Sequence, residues 1–301
     1  MSSLIRRNPK RSGTQTILLV ILACLPGFVA LSWYFGWGVF LNVFICVISS
    51  TIFEAIAISF KKKLPYYCLK DFSTLLTAVL IGLSLPPLCP WWLPIIGCIV
   101  AILIGKYAYG GFGASPFNPA MVGYAVVLLS FPLEMSVWVI PVSVLVEGIN
   151  HPNIFESLSI VFGMSNSVDG ITGATPLDAF KQSSGLLVDQ IYQTKTVFSS
   201  ATLAGVGWEV VNMAFLFGGI FLLQARIFSW HAPLAMMTTI SILAMLFWDG
   251  GSSVSAGSPL MHLLSGGTMM GAFFIITDPS TSVKTNNAKL VYGALIGLFI
   301  F

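Results

Sequence analysis

Long apolar runs dominate the chain, each separated from the next by a short cluster of polar, Gly or Pro residues. Nine runs read as helices: residues 15–35, 37–60, 72–87, 91–109, 119–133, 204–228, 232–249, 262–277 and 290 to the end. A helix needs about 20 apolar residues to cross the ~30 Å hydrocarbon core of a bilayer, so the longer runs read as complete crossings and several others are short. The third, fifth and eighth runs carry Gly, Pro or Ser at their ends, the pattern of helices interrupted around a buried polar site. The alternation breaks once for a long insertion, residues 134–203. Within it, Pro176 to Ile191 places Leu177, Phe180, Leu187 and Ile191 at mixed helical spacings, which predicts an amphipathic stretch in a small surface subdomain.

Composition fixes the solvent. Hydrophobic residues make up 56% of the chain and charged residues 8%, whereas about a quarter of a soluble domain is charged, so a soluble globular protein is excluded. The expected fold is an all-α polytopic membrane protein in three parts. Residues 1–133 form a first membrane half of about five spans, 134–203 an outward loop subdomain, and 204–301 a second membrane half of about four.

The distribution of charge sets the orientation. If the chain threads alternately through the runs, Arg6, Arg7, Lys10, Arg11, Lys61, Lys62, Lys63, Lys70, Lys106, Arg226, Lys284 and Lys289 share one side, leaving only Lys181 and Lys195 on the other. Such a bias places the N-terminus in the cytoplasm and the 134–203 insertion outside, in the periplasm of a bacterial inner membrane. The first apolar run is too long for a signal peptide and has no clear cleavage site, so it reads as an uncleaved span. Membrane lipid is the surrounding partner, and no nucleic-acid partner is expected.

The punctuation recurs. One span closes at Leu83-Ser84-Leu85-Pro86-Pro87, and the next runs through Gly97 to Gly105; later, one closes at Ile276-Thr277-Asp278-Pro279, and the next runs through Gly293 to Gly297. Five helices per half would enter from opposite faces, giving an inverted repeat. On that reading a tenth helix is expected beyond Phe301, and the sequence is expected to be truncated. Gly110-Gly111-Phe112-Gly113 follows an apolar span rather than a strand, so it is not a dinucleotide fingerprint; unwound backbone along a cofactor or ion route and simple close packing explain it equally.

Residues able to carry chemistry are few. Cys24, Cys46, Cys68, Cys89 and Cys98 contain no C-x-x-C pair, which leaves no zinc or iron–sulfur framework within this chain, although a cluster shared with another subunit would escape the test. His151, His231 and His262 are far apart near span ends and read as interfacial polar residues rather than ligands. Glu54 is the deepest acidic residue in the second span, two turns from Lys61, while Asp71, Lys106 and Asp278 lie nearer span ends. Snorkelling or local pairing is expected for each, with an ion pathway as the alternative.

Within the insertion, Asp169-Gly170-Ile171-Thr172-Gly173-Ala174-Thr175 ends in a hydroxyl flanked by the smallest side chains. Gly173 and Ala174 leave that hydroxyl unshielded and Gly170 and Gly173 free the backbone, which suits a bulky covalent attachment. Thr175 is equally read as the N-cap of a helix with Pro176 at its first position. Both readings can hold together.

The Asp169–Thr175 string resembles the motif on which a flavin transferase esterifies FMN to threonine. With Gly110-Gly111-Phe112-Gly113, Asn118-Pro119-Ala120-Met121-Val122-Gly123-Tyr124 and Thr277-Asp278-Pro279, the whole chain resembles the family that holds the D-type subunit of Rnf electron-transport complexes and its relative, the B-type subunit of the sodium-pumping NADH:quinone reductase. The short N-terminal tail favours the Rnf member; Thr172 stands where the motif often has Ser, and the family's closing helices are absent after Phe301. The resemblance implies FMN held covalently by Thr175, with Asp169, Gly170, Thr172, Gly173 and Ala174 read by the transferase or shaping the flavin pocket. On that reading Thr175 is an anchor and not a catalytic acid or base; the cysteine and histidine spacings already leave no metal site within this chain. It also implies a second, non-covalent flavin such as riboflavin, without assigning its ligands. Electrons would pass between ferredoxin and NAD through the other Rnf subunits, those of types A, B, C, E and G, coupled to sodium or proton transport. The competing readings are the reductase's B-type member, a flavin-free inverted-repeat channel or transporter, and a scaffold that only anchors redox partners.

Overall fold

The computed structural model describes residues 12–60, 72–111, 113–145, 150–165, 170–183, 185–198, 201, 203–249, 251–253 and 255–301. Expectations resting on Arg6, Arg7, Lys10, Arg11, Lys61, Lys62, Lys63, Cys68, Lys70, Asp71, Phe112 and Asp169 fall outside them.

Each of the nine apolar runs is helical over most of its length. Helices α1 (Gly13–Phe35) and α2 (Gly38–Phe60) are each 23 residues long, and these two have the length and hydropathy of a full crossing. They are followed by α3 (Ser73–Ser84), α4 (Trp92–Ile99), which widens into a π-helical stretch over Val100–Tyr107, α5 (Pro119–Ser130) and the short α6 (Pro132–Ser136). After the insertion come α10 (Trp208–Gln224), α11 (His231–Leu246), α12 (Pro259–Leu264), α13 (Thr268–Met270), continued by a π-helical stretch over Gly271–Ile275, and α14 (Asn286–Ile300). Apolar residues point outward as well as inward: Trp33, Leu129, Phe217 and Phe299 are all exposed. In water such a surface would be an aggregation hazard; facing acyl chains it costs nothing.

Interrupted helices leave backbone groups without intrahelical partners, and in a bilayer those groups must be satisfied by protein. Three asparagines do so. Asn42 donates to the Pro86 carbonyl at 2.8 Å, closing the break after α3. Asn212, fully buried, donates to the carbonyls of Leu264 and Gly266 at 2.9 Å and accepts from the Met269 amide at 3.2 Å, stapling the gap between α12 and α13. Asn118 caps α5 through the Ala120 amide at 2.9 Å and reaches across to the Ile275 carbonyl at 3.3 Å, tying the two parts of the chain together.

Close helix contacts fall at glycines, as membrane packing favours. Gly293 on α14 lies so near α11 that a Cβ there would stand 2.3 Å from the Ala232 carbonyl oxygen.

The insertion departs from the all-α expectation. It contains α7 (Ile154–Val161) and a two-stranded antiparallel ribbon, β1 (Trp138–Val139) with β2 (Thr172–Gly173), in the register Trp138 to Gly173 and Val139 to Thr172. The expected amphipathic stretch over 176–191 is two helices, α8 (Pro176–Gln182) and α9 (Val188–Thr194). Gly185 between them sits at φ +97°, a conformation open to glycine and closed to a continuing helix.

Candidate functional site

The Thr175 turn is built on the ribbon. Ile171 is buried and its carbonyl accepts from the Ile140 amide at 2.8 Å, extending the pairing beyond the two strands. Trp138 on β1 packs into an aromatic cluster with Phe35 at the end of α1 and Trp208 at the start of α10, ring centroids 6.3 Å and 5.1 Å away. That cluster roots the ribbon in the bundle through contacts that are worth about 0.5–1.5 kcal/mol each beyond area burial. His151 adds a second tie: its Nε2 lies 2.8 Å from the Ile140 carbonyl oxygen and its ring lies against Gly36. Burial pushes the His151 pKa down, against the opposing pull of that carbonyl, so the ring is neutral at neutral pH.

From this support the chain emerges through Gly173, which faces Ile140, to an exposed Ala174 and a half-buried Thr175. Gly170, at φ +90°, makes the turn into the strand. Thr175 is in extended geometry, φ −65° and ψ 160°, and caps α8, with Pro176 at the first helical position. Proline fixes its own φ and has no amide to satisfy, so the helix starts here and nowhere else. Pro176 is buried against Gly205, where a Cβ would come within 2.4 Å of the ring. Below it, Ala179 and Phe180 of α8 join Ile191, Phe198 and Met261 in a small apolar core of their own. Thr175 is thus mounted between two packed supports.

The Thr175 hydroxyl has two partners, both from Asp178. Oγ1 accepts from the Asp178 amide at 3.3 Å and donates its proton to the Asp178 carboxylate at 2.6 Å. Both residues face solvent enough to be reached from outside. The N-cap reading of Thr175 therefore holds, and it leaves the attachment reading open. Of the residues singled out with Thr175, the structure brings together Gly170, Thr172, Gly173 and Ala174 in the same strand and turn, while Asp169 lies outside the described residues. Sequence reasoning missed Asp178, although Thr-Pro-Leu-Asp is a legible cap pattern.

A second polar centre lies at the opposite end of the bundle. Lys106 does not snorkel: it is 3% exposed, and its Nζ sits 2.6 Å from Glu54, 2.7 Å from the Ser73 hydroxyl and 2.7 Å from that of Thr74. The Tyr107 hydroxyl donates to the same Glu54 oxygen at 2.9 Å. Local pairing, the alternative to snorkelling, is what the fold adopts. A cavity beside this pair is lined by Lys106, Ser115, Asn118 and Asp278. Asp278 is buried and occupied by its own turn, accepting from the hydroxyls of Ser280 and Thr281. Among the described residues, no group of three His, Cys, Asp or Glu is arranged to hold a metal.

Comparison with known proteins extends over nearly the whole chain. The NQR2, RnfD, RnfE family profile matches residues 5–301. The D subunit of the ion-translocating oxidoreductase complex of Cellvibrio japonicus is 47% identical over 288 residues, covering 96% of this chain and 80% of that protein. The D subunit of the complex of the same name from Ectopseudomonas mendocina is 43% identical, covering 95% and 81%, and that from Escherichia coli 42% identical, covering 97% and 85%. By the reach of these matches, the chain belongs to the NQR2, RnfD, RnfE family.

Proposed function

We propose that this chain is the D-type membrane subunit of an ion-translocating electron-transport complex, and that it carries FMN as a phosphoester on Thr175. The names of its relatives support the complex and favour the D-type Rnf member over the reductase's B-type one. The observation that carries the flavin site is the Thr175 hydroxyl itself, presented beside an exposed Ala174 and a glycine, on a turn anchored from both sides.

The local chemistry fits a tethered nucleotide. An attached phosphate needs room around the oxygen it esterifies, and Gly173 and Ala174 offer none of the branched side chains that would crowd it. Pro176 and the ribbon hold the Cα of Thr175 in place while the solvent side stays open. FMN supplies the redox chemistry when bound, and the protein supplies its position. Thr175 is an anchor, with Gly170, Thr172, Gly173 and Ala174 shaping the approach to it; Asp169 belongs to the same string.

In the bilayer, the nine helical runs cross in alternation, the halves are related as an inverted repeat, and the cationic side faces the cytoplasm of a bacterial cell. Thr175 then lies on the periplasmic side. Covalent attachment keeps a cofactor where no cytoplasmic pool replaces it, and a flavin transferase acting there performs the maturation. Electrons move between ferredoxin and NAD through the partner subunits, those of types A, B, C, E and G, coupled to sodium or proton transport. A second, non-covalent flavin such as riboflavin belongs within the bundle.

The decisive measurement is flavin fluorescence of the denatured chain from cells that contain the transferase, followed by peptide mass mapping. Wild-type protein is expected to stay fluorescent in a denaturing gel with the added mass on the Thr175 peptide, and Thr175→Ala to be dark. A Thr175→Ala chain that remains yellow, or a wild-type chain with no added nucleotide, overturns the assignment.

A further inference from the structure

We infer that Asp178 is the proton acceptor when Thr175 is esterified; this rests on Thr175 being the flavin anchor. The hydroxyl is held in an unusual way for a helix cap. Among the described residues, four helix N-caps are hydroxyl side chains that accept from a backbone amide: Ser12, Thr175, Ser258 and Thr285. In the reciprocal capping at Ser12, the partner side chain of Gln15 turns back to the cap's own amide at 3.2 Å, and Glu156 does the same for Asn153 at 2.9 Å. Asp178 occupies that same third helical position but commits its carboxylate to the Thr175 hydroxyl proton, at 2.6 Å.

For a cap alone this arrangement adds little, because the amide contact at 3.3 Å already provides the capping bond. For a nucleophile it is apt. A threonine hydroxyl is weakly nucleophilic until a base within hydrogen-bond reach removes its proton. The carboxylate is already in position, and Asp178 is exposed, so the proton can pass on to water.

Esterification then proceeds by substitution at phosphorus. Thr175 Oγ1 forms a bond to the flavin-side phosphorus of a flavin dinucleotide held by the transferase. The phosphoanhydride P–O bond breaks, and the departing nucleoside monophosphate takes its electron pair. The hydroxyl proton goes to Asp178 Oδ2. No electrons are exchanged with the flavin ring.

The test uses full-length protein made without the transferase, then mixed with transferase and flavin dinucleotide, with incorporation read as fluorescence of the denatured band. Asp178→Asn keeps the backbone amide that caps the helix and removes the base. Its labelling rate is expected to fall by about 100-fold or more, the lower end of what general-base catalysis provides. The deficit is expected to shrink as pH rises from about 6 to 9, because hydroxide takes over the base's role. Taking the ratio to wild type at each pH cancels any titration of the transferase. Asp178→Glu, which keeps a carboxylate, is expected to recover most of the lost rate. Labelling of Asp178→Asn at the wild-type rate, or a deficit equal at every pH, overturns the role. Wild-type protein that takes up no flavin at all removes the Thr175 anchor itself, a different failure from either.

Discussion

At the scale of single residues, Lys106 carries the largest stake. Burying an ammonium away from water carries a desolvation cost, and the fold meets that cost with Glu54, two hydroxyls and a neighbouring tyrosine rather than by reaching for water. Among the described residues Glu54 Oε2 is buried with no hydrogen-bond partner, and Lys106 is the cation that pairs with the carboxylate through Oε1. Lys106→Met leaves an uncompensated buried carboxylate and is expected to destabilise the protein by about 3–5 kcal/mol, while the double variant Glu54→Met/Lys106→Met loses much less. Thermal unfolding in detergent compares them. A double variant as unstable as the single one would show that the pair's value is not mutual. The sequence makes both residues visible as ionisable groups in apolar runs. It does not show that they meet, because 52 positions separate them.

At the scale of elements, the ribbon β1–β2 is the device that presents Thr175, and His151 bonds the Ile140 carbonyl at its edge. His151 is neutral in the fold because burial holds its pKa below the ordinary 6.5. The unfolded chain therefore binds this proton more readily than the folded one. The contribution to stability is whole above pH 6.5 and is lost as pH falls through the lowered folded value. Hydrogen exchange at the Ile140 amide, bonded to Ile171, is expected to lose protection on acidification in wild type and to change less in His151→Gln. Protection indifferent to pH in both proteins would detach the histidine from the ribbon's stability. This element also marks the limit of what the residues reveal in advance. The long helices are legible because an apolar run has one economical structure in lipid. Two-residue strands such as Trp138–Val139 and Thr172–Gly173 contain no period to read, and their pairing spans a gap that only the fold closes. The split of the stretch over 176–191 was legible in Gly185 but outweighed by the apolar spacing. The cap at Thr175 is legible in the adjacent Thr-Pro, and the carboxylate three residues on in the pattern Thr-Pro-Leu-Asp; that the carboxylate takes the hydroxyl proton instead of the cap's amide is visible only in the fold.

At the scale of the molecule, the bundle has two chemically different ends. The Thr175 turn packs at the end where α1 finishes and α10 begins, through Phe35, Trp138 and Trp208. Ile17 near the start of α1 lines the same cavity as Lys106 and Asp278, so those residues mark the other end, as do Ser229 and Lys289, joined at 2.8 Å. The cationic bias predicts which end faces the cytoplasm, and two cysteine reporters decide it. Gln190 on α9 and Asn287 on α14 are both exposed, one at each end. The four described native cysteines are buried and should stay silent, and Cys68→Ser removes the remaining one. In intact spheroplasts, a membrane-impermeant maleimide is expected to label Gln190→Cys and to reach Asn287→Cys only after lysis. The reverse pattern would put Thr175 in the cytosol. Labelling of both reporters in sealed cells would mean that α10 to α13 do not cross as proposed.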